Sequence, residues 1–243
     1  MSDDSPQLGC ECFWPHGPRR PSLIAQDVHL WISDYRAWDA EALAGTLSVE
    51  ESGRAARFHR DEDRIRFIVA KGLLRQLLGR YLDREPAQIA LEIGPFEKPR
   101  VAGTQSLFFN ISHSGDLCLY AIAGDREVGV DIERIQRGSH VADLGGQVFT
   151  ASEEAYFETI KPEQRVEAFF DLWTCKEACV KCMGIGMRLP LKQIEMTLLP
   201  GTSRAVARCG SERWSILRIR PASGYVAALA VTGDEARVSQ WQL

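Results

Sequence analysis

Two stretches of helical periodicity fix how this chain can fold. From Asp61 to Leu82, apolar residues recur at Ile65, Ile68, Val69, Leu73, Leu77 and Leu78, which lays one apolar stripe along one helix face. From about Arg165 to Met183, a second helix carries Phe169, Phe170, Leu172 and Trp173. Strand-like runs at 28–32, 89–93, 107–111 and 117–123 accompany the first helix, and a run at 127–133 precedes the second. Runs at 194–199, 204–208, 213–219 and 225–231 follow it. Ser48 with Glu51 three residues on is a capping box before a helix at 49–57, and Ser152 is the expected cap of a helix at Glu153–Phe157. The order of elements therefore repeats. The chain reads as α+β, with two similar subdomains related by a pseudo-twofold axis, each a mostly antiparallel sheet with packed helices. Residues 1–21, broken by Pro6, Gly9, Pro15, Gly17, Pro18 and Pro21, are expected to form a flexible tail. Residues 22–125 and 126–243 then form the N- and C-terminal subdomains, with the active site at their interface. An offset of 105 sets Arg66–Gly79 over Asp171–Gly184 and aligns Lys71 with Lys176 and Gly79 with Gly184.

A net charge of −4 over 243 residues gives no nucleic-acid footprint, so any anionic ligand must be held by a local cluster of cations. No apolar run reaches the ~18 residues of a membrane span. The acidic start, Met1-Ser2-Asp3-Asp4-Ser5, lacks the basic and apolar regions of a signal peptide, so a cytoplasmic protein is expected. Seven cysteines, an odd number without an export signal, argue against a disulfide framework. Cys175, Cys179 and Cys182 fall at helical spacing and read as small residues on a helix face.

The acids carry the chemistry. Asp131 and Glu133, two apart in Gly129-Val130-Asp131-Ile132-Glu133 at a strand end, point to one face. Side by side they repel unless a cation or proton intervenes, and hard oxygen ligands suit Mg²⁺. The other reading is an exposed pair neutralised by Arg126 or Arg134. Glu177 and Lys181 lie four apart on one helix face. They read either as a surface ion pair or as a third metal ligand with a lysine on phosphate.

These residues, with their neighbours, resemble a known family. Gly129-Val130-Asp131-Ile132-Glu133 and Trp173-x-x-Lys176-Glu177-Ala178-x-x-Lys181 are similar to the two signature motifs of the Sfp-type phosphopantetheinyl transferases. Phe109-Asn110-Ile111-Ser112-His113-Ser114 and Lys98-Pro99 resemble two further motifs, and the likeness runs from about residue 28 to 231. It implies that Asp131, Glu133 and Glu177 hold Mg²⁺ on the pyrophosphate of coenzyme A and that Lys181 contacts phosphate. It implies that Asn110, Ser112 and His113 lie near the 3′-phosphoadenosine part and that Lys98 faces coenzyme A, although Glu97 stands where the family often has glycine. Arg54 and Arg66 become candidates for the 3′-phosphate, with Glu51 where some relatives carry a basic residue. Glu153 matches a glutamate proposed as the base, and it also reads as a first-turn acid favoured by the helix dipole.

The implied reaction is transfer of 4′-phosphopantetheine from coenzyme A to a serine of an apo acyl, peptidyl or polyketide carrier protein, releasing 3′,5′-ADP. Met187 and Leu189, in the loop Gly184–Pro190, are candidates to meet the carrier. With both motif halves in one chain, a monomer is expected. Two other readings use the same acids: a Mg²⁺-dependent phosphohydrolase, and a catalytically silent adaptor that binds carriers. The mass of an apo carrier after incubation with coenzyme A separates all three.

Overall fold

The computed structural model describes residues 14–94, 96, 98–136, 141–199 and 201–243. Strand β1 (Asp27–Asp34) opens the chain, followed by short helices α1 (Ala40–Ala44) and α2 (Val49–Ala55) and the long helix α3 (Asp61–Leu82). A hairpin of β2 (Leu91–Ile93) and β3 (Pro99–Val101) leads into β4 (Phe108–Ser114), β5 (Leu117–Ala123) and β6 (Val128–Arg134). Helices α4 (Val141–Val148), α5 (Ala151–Thr159) and α6 (Pro162–Met183) come next. The chain closes with β7 (Glu195–Leu198), β8 (Arg204–Cys209), β9 (Glu212–Ile219), β10 (Tyr225–Thr232) and β11 (Arg237–Gln242).

One sheet has the order β11-β1-β5-β4 and the other β6-β10-β9-β8-β7, so the fold is α+β and mostly antiparallel. Alternation assigns the faces. Leu119, Ala121 and Ala123 of β5 meet Val128, Val130 and Ile132 of β6 and Leu229 and Val231 of β10 in a core between the two sheets. The other face of β5, Cys118, Tyr120 and Ile122, packs under α3 against Leu73, Leu74 and Leu77. Ala228 and Ala230 of β10 pack under α6 against Cys175, Ala178, Cys179 and Cys182. The result is four layers, helix, sheet, sheet and helix. The three α6 cysteines are free, buried thiols on the packing face, and burial pushes all three up.

The two halves repeat, in a different register from the one the sequence suggested. Both α3 and α6 have 22 residues, start at 61 and 162 and so lie 101 apart, and end on a left-handed residue, Asp83 (φ 51°) and Gly184 (φ 76°). This register overlays Arg75, not Lys71, on Lys176. Both side chains are buried and both pair with a capping-box glutamate. Arg75 meets Glu51 at 2.7 Å, and Lys176 meets Glu153 at 2.5 Å. The offset of 105 slips by about one helical turn, which periodicity alone cannot detect.

Other expectations also shift. Helix α6 begins at Pro162 rather than near Arg165, because proline is at home in a first turn. Thr150, not Ser152, caps α5. Strand β11 runs parallel to β1, so the half expected to span 126–243 lends its last strand to the first sheet. Residues 1–13 of the expected tail lie outside the described residues. Residues 14–21 are tied down: Trp14 is buried in the core between the sheets, and Gly17 N donates to Gln242 O at 3.1 Å.

Gly129 sets a close approach of helix backbone to strand. A Cβ there would lie 2.0 Å from the carbonyl oxygen of Ala178 and 2.3 Å from the nitrogen of Cys182. Helix α6 can lie this low on β6 only because the side chain is absent. Gly129→Ala forces backbone apart, and overpacking of this kind costs about 3 kcal/mol. Thermal unfolding should drop by roughly 6–12 °C for a chain of this size. An unchanged melting temperature would show that α6 can ride over the extra methyl.

Candidate active site

Gly129, Asp131 and Glu133 share the face of β6 that α6 covers. The close approach at Gly129 brings Lys181, near the end of α6, onto Asp131. The Asp131 carboxylate is 3% exposed. Its Oδ1 accepts from Lys181 Nζ at 2.6 Å and from Ser112 Oγ at 2.9 Å, while its buried Oδ2 has no hydrogen-bond partner. Ser114 Oγ donates to Glu133 at 2.7 Å. Glu177 lies one turn before Lys181.

All three carboxylic acids sit above their ordinary values. At Asp131 burial raises the value and Lys181 opposes it. At Glu133 burial acts first, Ser114 opposes, and the charge of Asp131 adds to the rise. At Glu177 burial is again largest, with Asp131 and Glu133 adding and Lys181 opposing. Three carboxylates that disfavour one another's charge, over a buried oxygen lacking a partner, fit a hard divalent cation. Among the described residues no three acids, histidines or cysteines already stand at ligating distances. The Lys181 ammonium supplies the counter-charge on Asp131.

Strand β4 holds this edge. Asn110 Oδ1 accepts from Val130 N at 2.8 Å, Ser112 Oγ from Ile132 N at 3.4 Å, and Ser114 Oγ from Arg134 N at 3.1 Å. Alternate side chains of β4 thus serve alternate amides of β6 in place of a backbone ladder and join the two sheets. Asn110, expected at the cofactor, has its carbonyl oxygen committed to this seam. Ser112 works inward as well, accepting from Lys181 at 2.8 Å.

The second group of expected residues meets beside α3. Arg66, His113, Gly115 and Cys118 line a small cavity with Tyr35. The Arg66 guanidinium stacks over the Tyr35 ring at 4.9 Å and pairs with Glu62 at 2.6 Å. His113 lies below its ordinary value, through burial and then the charges of Lys181, Arg66 and Lys71. Because the ring itself is open to solvent, the cations are the firmer cause. Arg54 is exposed, with its guanidinium 5.3 Å from the centre of the Phe67 ring.

Two expected site residues do structural work instead. Lys98 is buried, and its three protons go to Glu127 at 2.6 Å, Val128 O at 2.9 Å and Cys182 O at 2.9 Å. It ties the start of β6 to the end of α6 and has no donor left for coenzyme A. Glu97 lies outside the described residues. Glu153, expected as the base, accepts on one oxygen from Lys176 at 2.5 Å and from Thr150 N at 2.8 Å, and on the other from Met196 N at 3.0 Å. Lys176 also donates to Val148 O at 2.7 Å and Leu191 O at 3.2 Å. Burial pulls the Lys176 ammonium down and Glu153 pulls it up. The pair fastens α4, α5 and the loop after α6 to one point. In the carrier loop Leu189 is half-buried, and the side chain of Met187 lies outside those described.

Three acids with raised values, one of them buried with an unpartnered oxygen, stand with Lys181 at one sheet edge and form the candidate site. The comparisons give the family. A family model described as 4'-phosphopantetheinyl transferase superfamily matches residues 127–230, and another described as 4'-phosphopantetheinyl transferase, N-terminal, matches residues 30–125. The 4'-phosphopantetheinyl transferase HetI of Nostoc sp. is 35% identical over 225 residues, covering 90% of this chain and 94% of that protein. A 4'-phosphopantetheinyl transferase of Bacillus subtilis is 28% identical, covering 67% of this chain and 71% of its own. The transferase AcpT of Salmonella typhimurium is 35% identical, covering 60% and 73%. The chain belongs to the 4'-phosphopantetheinyl transferase superfamily.

Lys98 gives the test of the structural reassignment. Lys98→Met leaves Glu127 and two carbonyl oxygens short of a donor and should cost about 3 kcal/mol, read by urea unfolding. Coenzyme A affinity of the folded variant should stay within about threefold of wild type, as expected of a residue outside the site. A variant of normal stability that no longer binds coenzyme A would return Lys98 to the site.

Proposed function

We propose that this transferase moves the 4'-phosphopantetheine arm of coenzyme A onto a serine of an apo carrier protein at the edge where β6 meets α6. Asp131 carries the reading: a buried carboxylate with one oxygen on Lys181 and Ser112 and the other without a protein partner. Asp131, Glu133 and Glu177 are the residues that would hold Mg²⁺. Bound there, Mg²⁺ supplies charge neutralisation on the pyrophosphate and helps align the attacking and leaving oxygens.

In this reading the chain's own groups divide the remaining work. Lys181, on Asp131 Oδ1 at 2.6 Å, is within reach of a phosphate held at the same acids. The carrier serine oxygen forms a bond to the β-phosphorus, and the bond from that phosphorus to the oxygen of 3',5'-ADP breaks. Negative charge grows on the leaving group, where the Lys181 ammonium is worth more than in the ground state. The serine proton passes through a water to Glu177, which stands one helical turn before Lys181 on α6. Glu153 does not serve as base, since both of its oxygens accept bonds within the fold. Ser112 and Ser114 hold the acids in orientation.

We read the enzyme as a monomer, because residues of both halves, Ser112 of β4 with Asp131 of β6 and Lys181 of α6, meet within one chain. No helix among the described residues is long and apolar enough to cross a membrane. The partners are coenzyme A and a carrier domain, with no call on nucleic acid.

The intact mass of an apo acyl or peptidyl carrier, incubated with enzyme, coenzyme A and Mg²⁺, should rise by one phosphopantetheine. Asp131→Asn keeps the shape of the side chain and should lower transfer by about 10²-fold or more at any practical Mg²⁺ concentration. Near-wild-type turnover would remove Asp131 from the site. Lys181→Met should also lower single-turnover transfer by about 10²-fold while coenzyme A affinity falls less. Collapsed affinity with an unchanged rate at saturation would make Lys181 a binding residue alone.

A further inference from the structure

We propose that Asp171 is a positioning residue for the transfer site: clamped between Arg218 and Arg220, it fixes the roll of α6 and so holds Glu177 over Asp131 and Glu133. The inference rests on the reading of those three acids as the metal site, and it concerns a group of residues outside every motif.

The clamp joins α6 to β9. Glu167, Asp171, Cys175, Ala178 and Cys182 follow one another at spacings of four, four, three and four, so they form one stripe along the underside of α6. The apolar members of the stripe pack on Ala228 and Ala230 of β10. Asp171 lies farther toward the start of the helix. Its Oδ2 accepts from Arg218 Nη1 at 2.9 Å and its Oδ1 from Arg220 Nη1 at 2.8 Å. Arg218 also donates to Thr202 O at 2.8 Å, and Arg220 stands 3.3 Å from Glu167. Strand pairing puts this clamp on a row shared with the acids. Asp131 of β6 is opposite Ala228 of β10, and Ala228 is opposite Arg218 of β9. Arg220, two residues on, continues the same face. One sheet therefore carries the acids on one strand and the clamp two strands away, and α6 crosses from one to the other.

Burial argues for a role beyond adhesion. The side chains of Asp171 and Arg218 are 10% and 8% exposed, and Arg218 Nε and Arg220 Nε are buried without hydrogen-bond partners. Apolar residues of similar size often hold such a place as well or better, because taking charges out of water is costly. What they do not supply is direction. The rest of the underside is made of short side chains, Cys175, Ala178, Ala228 and Ala230, whose non-directional contacts let a helix roll. At Gly129 the contact is with α6 backbone, and there is no side chain to catch. Lys98 fastens the end of α6 to β6 through main-chain oxygens, and Asp171 fastens its first half to β9. A carboxylate with a different arginine on each oxygen resists the roll. Glu177 projects from the side of the helix. A group on the helix surface lies about 5–6 Å from the axis, so a roll of about 10° moves it by ~1 Å. Metal–ligand distances hold to within about 0.2 Å, and a shift of that size takes a ligand off the ion.

The experiment replaces the clamp with apolar residues. Full-length wild type and Asp171→Leu/Arg218→Met/Arg220→Met are compared in melting temperature, in Mn²⁺ binding and in the Mg²⁺ dependence of transfer. Mn²⁺, which shares the oxygen ligands of Mg²⁺, is followed by the electron paramagnetic resonance signal of the free ion, with and without 3',5'-ADP. The triple variant should melt within about 4 °C of wild type. Its Mn²⁺ affinity should fall by about 10- to 100-fold, the range for losing a group that orients metal ligands. Half-saturating Mg²⁺ should rise by the same factor, while transfer at saturating Mg²⁺ falls less. A triple variant as stable as wild type that binds Mn²⁺ equally well overturns the proposal and leaves the clamp a packing contact only. Should the triple variant fail to fold, Asp171→Leu/Arg218→Met, which leaves Arg220 to Glu167, takes its place with the same outcomes. A wild type that binds no Mn²⁺ in either condition overturns the metal reading, and the positioning role with it.

Discussion

The contact between Gly129 and α6 is the constraint from which the site follows. A helix normally rides on a sheet at a distance set by the side chains between them. Here one position has none, and the backbone of Ala178 and Cys182 descends onto β6. That brings the far end of α6 down with it, so Lys181 reaches Asp131 and Glu177 stands over the same acids. Lys98 reinforces the contact from beneath by bonding to Val128 and Cys182 on its two sides. The motif glycine is therefore structural in a direct sense: it fixes the distance between two groups of functional side chains.

The second joint is the seam between the sheets. β6 has β10 on one side, and on the other its amides would be left without partners, a cost of about 1–3 kcal/mol for each one buried. Asn110, Ser112 and Ser114 answer them with side chains rather than with backbone. A side-chain seam leaves more room than a ladder, and Ser112 uses it to reach Asp131 and Lys181 as well. The motif that resembled a ligand-binding segment is thus, for three of its polar residues, the seam that positions the acids.

The internal repeat clarifies the role of Glu153. Glu51 and Glu153 each close a capping box at the start of a short helix, and each takes a buried cation from the long helix that follows. Arg75 also donates to Pro86 O and Ile89 O, and Lys176 to Val148 O and Leu191 O. The same device at the same place in both halves, only one of which contains the acidic cluster, belongs to the fold rather than to the chemistry. The halves have diverged around it: α6 contributes Glu177 and Lys181 to the acidic edge, while α3 turns Arg66 toward the cavity it lines with Tyr35 and His113.

The chain's own pattern was enough for the elements and the acids. Helical periodicity located α3 and α6, and alternation placed Asp131 and Glu133 on one face, because both depend only on the repeat of the backbone. Glu177 and Lys181, four apart, were legible for the same reason. What linear spacing cannot hold is which hydrogen-bonding capacity is already used. Lys98 and Glu153 have the chemistry of site residues, and carbonyls, amides and counter-ions from other segments fill their bonding positions. The docking of residues 14–21 and the return of β11 to the first sheet were likewise decided in three dimensions, since a strand's partner lies wherever an edge is left open. The sequence by itself determined the local elements and the inventory of charges. The tertiary structure decided which of those charges are satisfied within the protein and which remain to meet a ligand.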